Sequence, residues 1–211
     1  MSPADPREVL AGEARRLHER YHRELIERFC VCPWARPARA DGRTRTHVVT
    51  GESCAPEELM PILSEWAADE AVDVAFVIAP RFVGPADAFA DWATSIVQPH
   101  RDVFLAAPFY PTVSDTSGSI QFLRQAPDPT VQLVRRIRLE EIRAQDPPHY
   151  ADIFTLDLRD LESVRPPRAV AAAVERNERT IEREGRVEIQ RIFDDIREDR
   201  QRTYAKLLPL L

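Results

Sequence analysis

Val72-Asp73-Val74-Ala75-Phe76-Val77-Ile78-Ala79, closed by Pro80, is the stretch that decides the fold. It is rich in β-branched residues, and a proline ends it, so it reads as a strand. Residues 55–69 before it read as a helix. Ser53 stands where a cap belongs, and Leu59, Ile62, Leu63 and Trp66 share one face. After it, Gly84-Pro85 opens a second helix with Phe89, Trp92, Ala93 and Ile96 on its apolar face. Residues 102–109 form the next strand, apolar enough to be covered on both sides, and Thr46-His47-Val48-Val49 supplies a short strand upstream. Strand, helix, strand, helix, strand is the order of an α/β layer with right-handed crossovers. The expected fold is therefore α/β: a small, mostly parallel sheet of three to four strands flanked by helices. Ligands in such sheets sit outside the carboxyl ends of the strands. Here those ends lead into Pro80-Arg81-Phe82 and Pro108-Phe109-Tyr110-Pro111.

Helices extend the layer at both ends. Asp5-Pro6-Arg7-Glu8 is a helix start, with Asp5 as cap and Pro6 at the first position. Leu10, Ala14, Leu17, Tyr21, Leu25 and Phe29 follow at a 3.6-residue period, and Pro33 stops the helix near Cys30. Pro129 is expected to start a further helix through Val131, Val134, Ile137 and Leu139, and residues 153–158 to form a fourth strand. From Arg165 onward the chain reads as helical, broken at Gly185, with Val187, Ile189, Ile192, Phe193 and Ile196 as its apolar stripe. The expected division is an α/β domain over 1–164 and a C-terminal helical extension over 165–211. The extension would pack on the domain or on a partner, including a second copy of the chain.

Composition excludes several classes. The 211 residues carry 29 Lys and Arg against 35 Asp and Glu, a net charge of −6. Nucleic-acid binding needs clustered positive charge, so nucleic acid is not the expected partner. No apolar run approaches the ~20 residues that span a bilayer, and no basic-then-apolar leader opens the chain. Three Cys make no disulfide framework, which suits reduced thiols in the cytoplasm. Eighteen Pro against six Gly imply stiff loops and short elements.

Chemistry-bearing residue types crowd into residues 18–34, HERYHRELIERFCVCPW, which hold two of the five His and two of the three Cys. His18-Glu19-Arg20-Tyr21-His22 fits H-E-x-x-H. On a helix that spacing sets both imidazoles on one face, within reach of one zinc ion. The flanks, Arg15, Arg16, Arg20 and Arg23, are more polar than a zinc-protease helix, which leaves the plainer reading of two solvent-edge histidines. Cys30-Val31-Cys32-Pro33 could bind a soft metal or form a redox pair, and a Cys-Pro thiolate can be an axial haem ligand. The candidate metal ligands are His18, His22, Cys30 and Cys32, for zinc or iron, with thiolate haem behind them. Buried packing is the competing reading for the thiols. Weaker candidates are the hydroxyl-rich loop at Ser114–Ser119, the triplet Arg135, Arg136 and Arg138, and the carboxylates Asp157, Asp160 and Glu162.

The order FCVCPWARPAR, VAFVIAPRF, FLAAPFYP, APDPTVQLVRR, ERNERTI resembles a bacterial family catalogued as domain of unknown function fourteen-fifteen. Its members have a helix ending in Leu-x-x-Cys-Pro-Phe-Ala, a strand ending in Phe-His-Pro, a Ser-Pro-Tyr-Pro segment before Leu-His-Leu-Leu-Arg, and a late Arg-Asn. The resemblance covers residues 25–180. It implies that Cys32, Arg135 and Asn177 stand at the family's Cys, Arg and Asn. The chain departs at Tyr110 and Gln132, where the family has His, and at Asp128, where it has an aromatic residue. The family's function being unknown, the resemblance bears on fold and site location more than on activity.

Two functional readings follow. In the first, the protein is an enzyme acting on a small molecule between the Cys32-Pro33 loop and the ends of the second and third strands. Cys32 would be nucleophile or metal ligand, Tyr110 a proton donor or orienting hydroxyl, and Arg135 an anion clamp. In the second, Cys32 is structural and the C-terminal helices dock a partner. The enzyme reading requires Cys32, Tyr110 and Arg135 to converge.

Overall fold

Val74–Ile78, the heart of the deciding stretch, is β2, an inner strand of a four-stranded sheet ordered β1-β2-β4-β3. The other strands are β1 (Thr44–Val48), β3 (Phe104–Phe109) and β4 (Thr130–Arg135). In this computed structural model the described residues are 5–29, 35–112, 122–138, 178–179, 181–182 and 185–211. Strand β1 runs parallel to β2, and β4 lies antiparallel between β2 and β3. The sheet is thus mixed. β1, β2 and β3 share one direction, as the crossover order implies, and β4 inserts against them.

That insertion corrects the sequence reading of residues 129–139 as a helix. Thr130 to Arg135 are all buried in an inner strand, so the polar–apolar alternation that marks a half-exposed strand is missing. Val131 and Val134 then imitate a helical i, i+3 pair. The expected strand at 153–158, the loop at Ser114–Ser119, and Cys30, Cys32, Asn177, Asp157, Asp160 and Glu162 lie outside the described residues.

Helices cover both faces of the sheet. α3 (Pro56–Ala68) and α4 (Ala86–Val97) pack on one side. There Leu59, Leu63, Trp66, Phe89 and Ile96 meet Ala75, Val77, Val131 and Leu133. On the other side lies α1 (Pro6–Tyr21), started by Asp5, whose carboxylate accepts from the Arg7 amide at 2.9 Å. Ala14 of α1 packs with Val74, Phe76 and Ile78, its small side chain letting the helix axis come close to the sheet. A short helix α2 (Ala35–Ala40) adds Ala38 to that contact.

The C-terminal helix α5 (Arg186–Leu207) lies over α1. Ile189, Ile192, Phe193 and Ile196 bury against Leu10, Leu17, Tyr21 and Leu25. Gly185 opens α5 at φ 82°, a conformation that favours glycine. Charges seal the seam: Asp199 accepts from Arg16 at 2.9 Å and Arg20 at 3.0 Å, and Arg20 also pairs with Asp195. A second tie is buried. Asp128, before β4, accepts from Arg200 Nε at 2.6 Å and from the Tyr204 hydroxyl at 2.8 Å. No helix among the described residues is long and apolar enough to cross a membrane.

Candidate functional site

Helix α1 carries two buried faces. Leu10, Leu17 and Tyr21 turn toward α5, and Ala14, His18 and His22 lie a third of a turn away, toward the sheet. At His22 the helix widens into a π-turn over His22–Glu27, a distortion common at functional sites. The extra residue in the turn shifts the phase, so that Leu25, Ile26 and Phe29 all enter the core under α5.

The two histidines are not at a solvent edge. His18 is 6% exposed and His22 8%. Their ring centroids are 4.5 Å apart, and both meet the Phe76 ring edge-on, at 4.5 Å and 4.7 Å. Among the described residues, neither nitrogen of His18 has a hydrogen-bond partner. A buried, unpartnered polar group costs about 1–3 kcal/mol, so such a group calls for a reason. Burial pushes the His18 imidazole well below the usual histidine range, and a charge on His22 would push it further. Burial holds His22 at about 4, with Arg39 adding to the depression and Glu27 opposing it. Both rings are therefore neutral at pH 7, and each keeps one basic nitrogen.

These rings open on a cleft of about 200 Å³ between α1, α2 and the edge of the sheet. Phe76, Val74 and Ala35 line its apolar side, Thr44 and Thr46 its β1 side, and Arg15, Glu19 and Arg39 its rim. The register explains the lining: Thr44 pairs with Val74 and Thr46 with Phe76, so all four present the same face to α1. Ala35 follows directly on the Cys30–Trp34 stretch in the chain.

Tyr110 and Arg135 are elsewhere. Both pack on the α3–α4 side of the sheet, away from the cleft, and at opposite ends of the β3–β4 pair. Arg135 is in register with Phe104, the first residue of β3, and Tyr110 follows its last. At ~3.3 Å per strand residue that separates them by about 17–20 Å. The Tyr110 hydroxyl donates to the Gly84 carbonyl at 2.5 Å and the ring packs on Phe89. Arg135 donates to the carbonyls of Val72 at 2.7 Å, Trp66 at 2.8 Å and Asp69 at 2.7 Å. It thus caps the C-terminus of α3, where a cation also complements the helix dipole. Its Nε and Nη2 donors are engaged by these backbone carbonyls on the α3 side of the sheet, away from the cleft. Arg136 donates to the Arg101 carbonyl and Arg138 to Asp73. The convergence of Cys32, Tyr110 and Arg135 that the sequence reading required does not form, because two of its members are far apart.

His18 and His22 are brought together as their spacing implied. Among the described residues, no group of three or more His, Cys, Asp and Glu side chains is placed to hold a metal ion. Phe76, Thr44, Thr46 and Arg15 were not singled out from the sequence. For three of them the signal was there: alternate residues of two adjacent strands must share a face.

No family model, curated protein or solved structure matches this chain.

Proposed function

We propose that this protein is a cytoplasmic enzyme acting on a small molecule, and that its site is the cleft over His18 and His22. The observation that carries the reading is His18. It is a buried, neutral imidazole with both nitrogens unpartnered among the described residues, beside a second neutral imidazole, at the wall of a cleft large enough for a ligand. A ligand in the cleft would supply the missing hydrogen-bond partner. A neutral imidazole at pH 7 is ready to accept a proton from such a ligand. Cys32, in the stretch that runs into Ala35, is the proposed nucleophile. With Cys30 it is also the proposed source of thiolate ligands for a zinc or iron ion shared with the two histidines. The kinship with the domain-of-unknown-function family fourteen-fifteen is proposed on the same Cys-Pro-Trp-Ala stretch. Tyr110 and Arg135 have structural tasks in this reading. The alternative reading, docking through the C-terminal helices, is weakened because the apolar face of α5 is already buried on α1.

The test is a thermal-shift screen against a panel of small organic acids, amines, nucleosides and sugars. It would be run on the wild type and on Thr46→Trp, a half-exposed edge-strand position that lets the indole fill the cleft. Ligands that raise the melting temperature of the wild type and not of the variant support the site. Ligands that act equally on both, or none at all, contradict it.

A further inference from the structure

The charges at the rim of the cleft are unequal in their freedom. Arg39 is held by Glu27, to which its Nε and Nη2 donate at 2.6 Å and 2.8 Å. Glu19 accepts from Arg23 at 2.5 Å. Arg15, one turn before His18 on α1, makes no ion pair among the described residues, although it lines the cleft. Its charge also reaches His47, on the other face of β1, where it adds to the burial that holds that imidazole below the usual histidine range. Across from it, the Thr44 and Thr46 hydroxyls make no side-chain hydrogen bond among the described residues. The uncompensated charge at the mouth is therefore positive, and hydroxyl donors stand opposite it. Deeper in, the wall is the Phe76 ring, with two neutral imidazoles beside it.

We infer that the cleft takes a small organic carboxylate, bound by Arg15 and the threonine hydroxyls, with a second polar group of the ligand on the His18–His22 pair. This rests on the proposal that the cleft is the site, and adds the class of molecule that enters it. A planar guanidinium fork fits a carboxylate or a phosphate. Among the described residues, the single free cation at this rim balances the one negative charge of a carboxylate but not the two of a phosphate dianion. The volume limits the ligand: about 200 Å³ is the share of roughly seven waters, which suits about seven to ten non-hydrogen atoms. The apolar wall asks for an alkyl or aryl body. A hydroxyl or keto group would meet the imidazoles.

The test is calorimetric titration of the full chain with 4-hydroxybenzoate and 4-methyl-2-oxopentanoate, each beside its neutral amide. The proteins are the wild type, Arg15→Gln and Thr46→Trp. Arg15 is exposed, so Arg15→Gln should fold as the wild type does. The expected result is that at least one acid binds and its amide binds about tenfold more weakly or less. Arg15→Gln should abolish that preference, and Thr46→Trp should abolish binding. If acid and amide bind equally and Thr46→Trp blocks both, the carboxylate inference is overturned while the site stands. If an acid binds and neither variant weakens it, the inference and the site both fail. If none of the four compounds binds, the carboxylate inference is overturned, and the thermal-shift panel decides the site independently.

Discussion

The imidazoles of His18 and His22 face one another at 4.5 Å between centroids, wedged between α1 and the Phe76 ring. The i, i+4 spacing sets them on one helix face, and the sheet beneath removes that face from water. Burial makes both rings neutral, and among the described residues His18 has no hydrogen-bond partner. The pair is costly to keep in a folded chain, and its consequences for stability can be measured.

The first consequence is acid sensitivity. The unfolded chain titrates its histidines near pH 6.5, whereas folded His22 stays neutral down to about 4. Between those values the unfolded state binds the extra proton, so stability falls as pH drops below ~6.5. The loss from His22 approaches ~3 kcal/mol at pH 4, and His18 adds in the same direction. Asp128 works the other way, since burial raises its carboxyl and favours the folded state in acid. Urea midpoints of the wild type should fall between pH 7 and pH 5, and the fall should be shallower in His22→Gln. An equal fall in both proteins would contradict the burial argument.

Replacing the unpartnered ring should stabilise. His18→Leu removes two buried nitrogens without partners and keeps an apolar side chain against Phe76. The expected gain in urea denaturation at pH 7 is about 1 kcal/mol, together with loss of any ligand bound in the cleft. A loss of stability would show that the ring is already satisfied in the folded protein.

Arg135 should matter for stability and not for binding. Arg135→Met strips the carbonyls of Val72, Trp66 and Asp69 of their donor, at a cost of about 3 kcal/mol. Ligand affinity in the cleft, measured below the melting range, should be unchanged. A stable variant that no longer binds would return Arg135 to the site.

Asp128 ties α5 to the sheet. Asp128→Asn keeps the shape but leaves Arg200 without its charge partner, and a loss of about 3 kcal/mol is expected. In a double-mutant cycle with Arg200→Gln, the two losses should be far from additive. Additive losses would mean that the pair is not coupled.

The helices were legible in the sequence because each has one wet face: α3 and α4 follow from Leu59, Leu63 and Trp66, and from Phe89, Ala93 and Ile96. β2 was legible from its β-branched run. β4 was not, since an inner strand buried on both faces loses the period that identifies it. The H-E-x-x-H spacing pointed to the right pair, but the arginines around it suggested a solvated face. Two of those arginines, Arg16 and Arg20, serve the seam with α5, where they meet Asp199, a pairing between residues about 180 positions apart that no local pattern reveals. Tyr110 and Arg135 drew attention by resemblance and by residue type. Strand direction alone then placed them at opposite ends of the β3–β4 pair.

The most direct test of the cleft as the functional site is a long-range ¹H–¹⁵N spectrum of the imidazoles in ¹⁵N-histidine-labelled protein. It would be recorded at pH 7 with and without the hits from the small-molecule panel. The predicted result is two neutral rings, assigned to His18 and His22 by single substitution. Both should shift on ligand addition while the resonances of His100 stay in place. Protonated rings at pH 7, or rings that no ligand moves, would contradict the account.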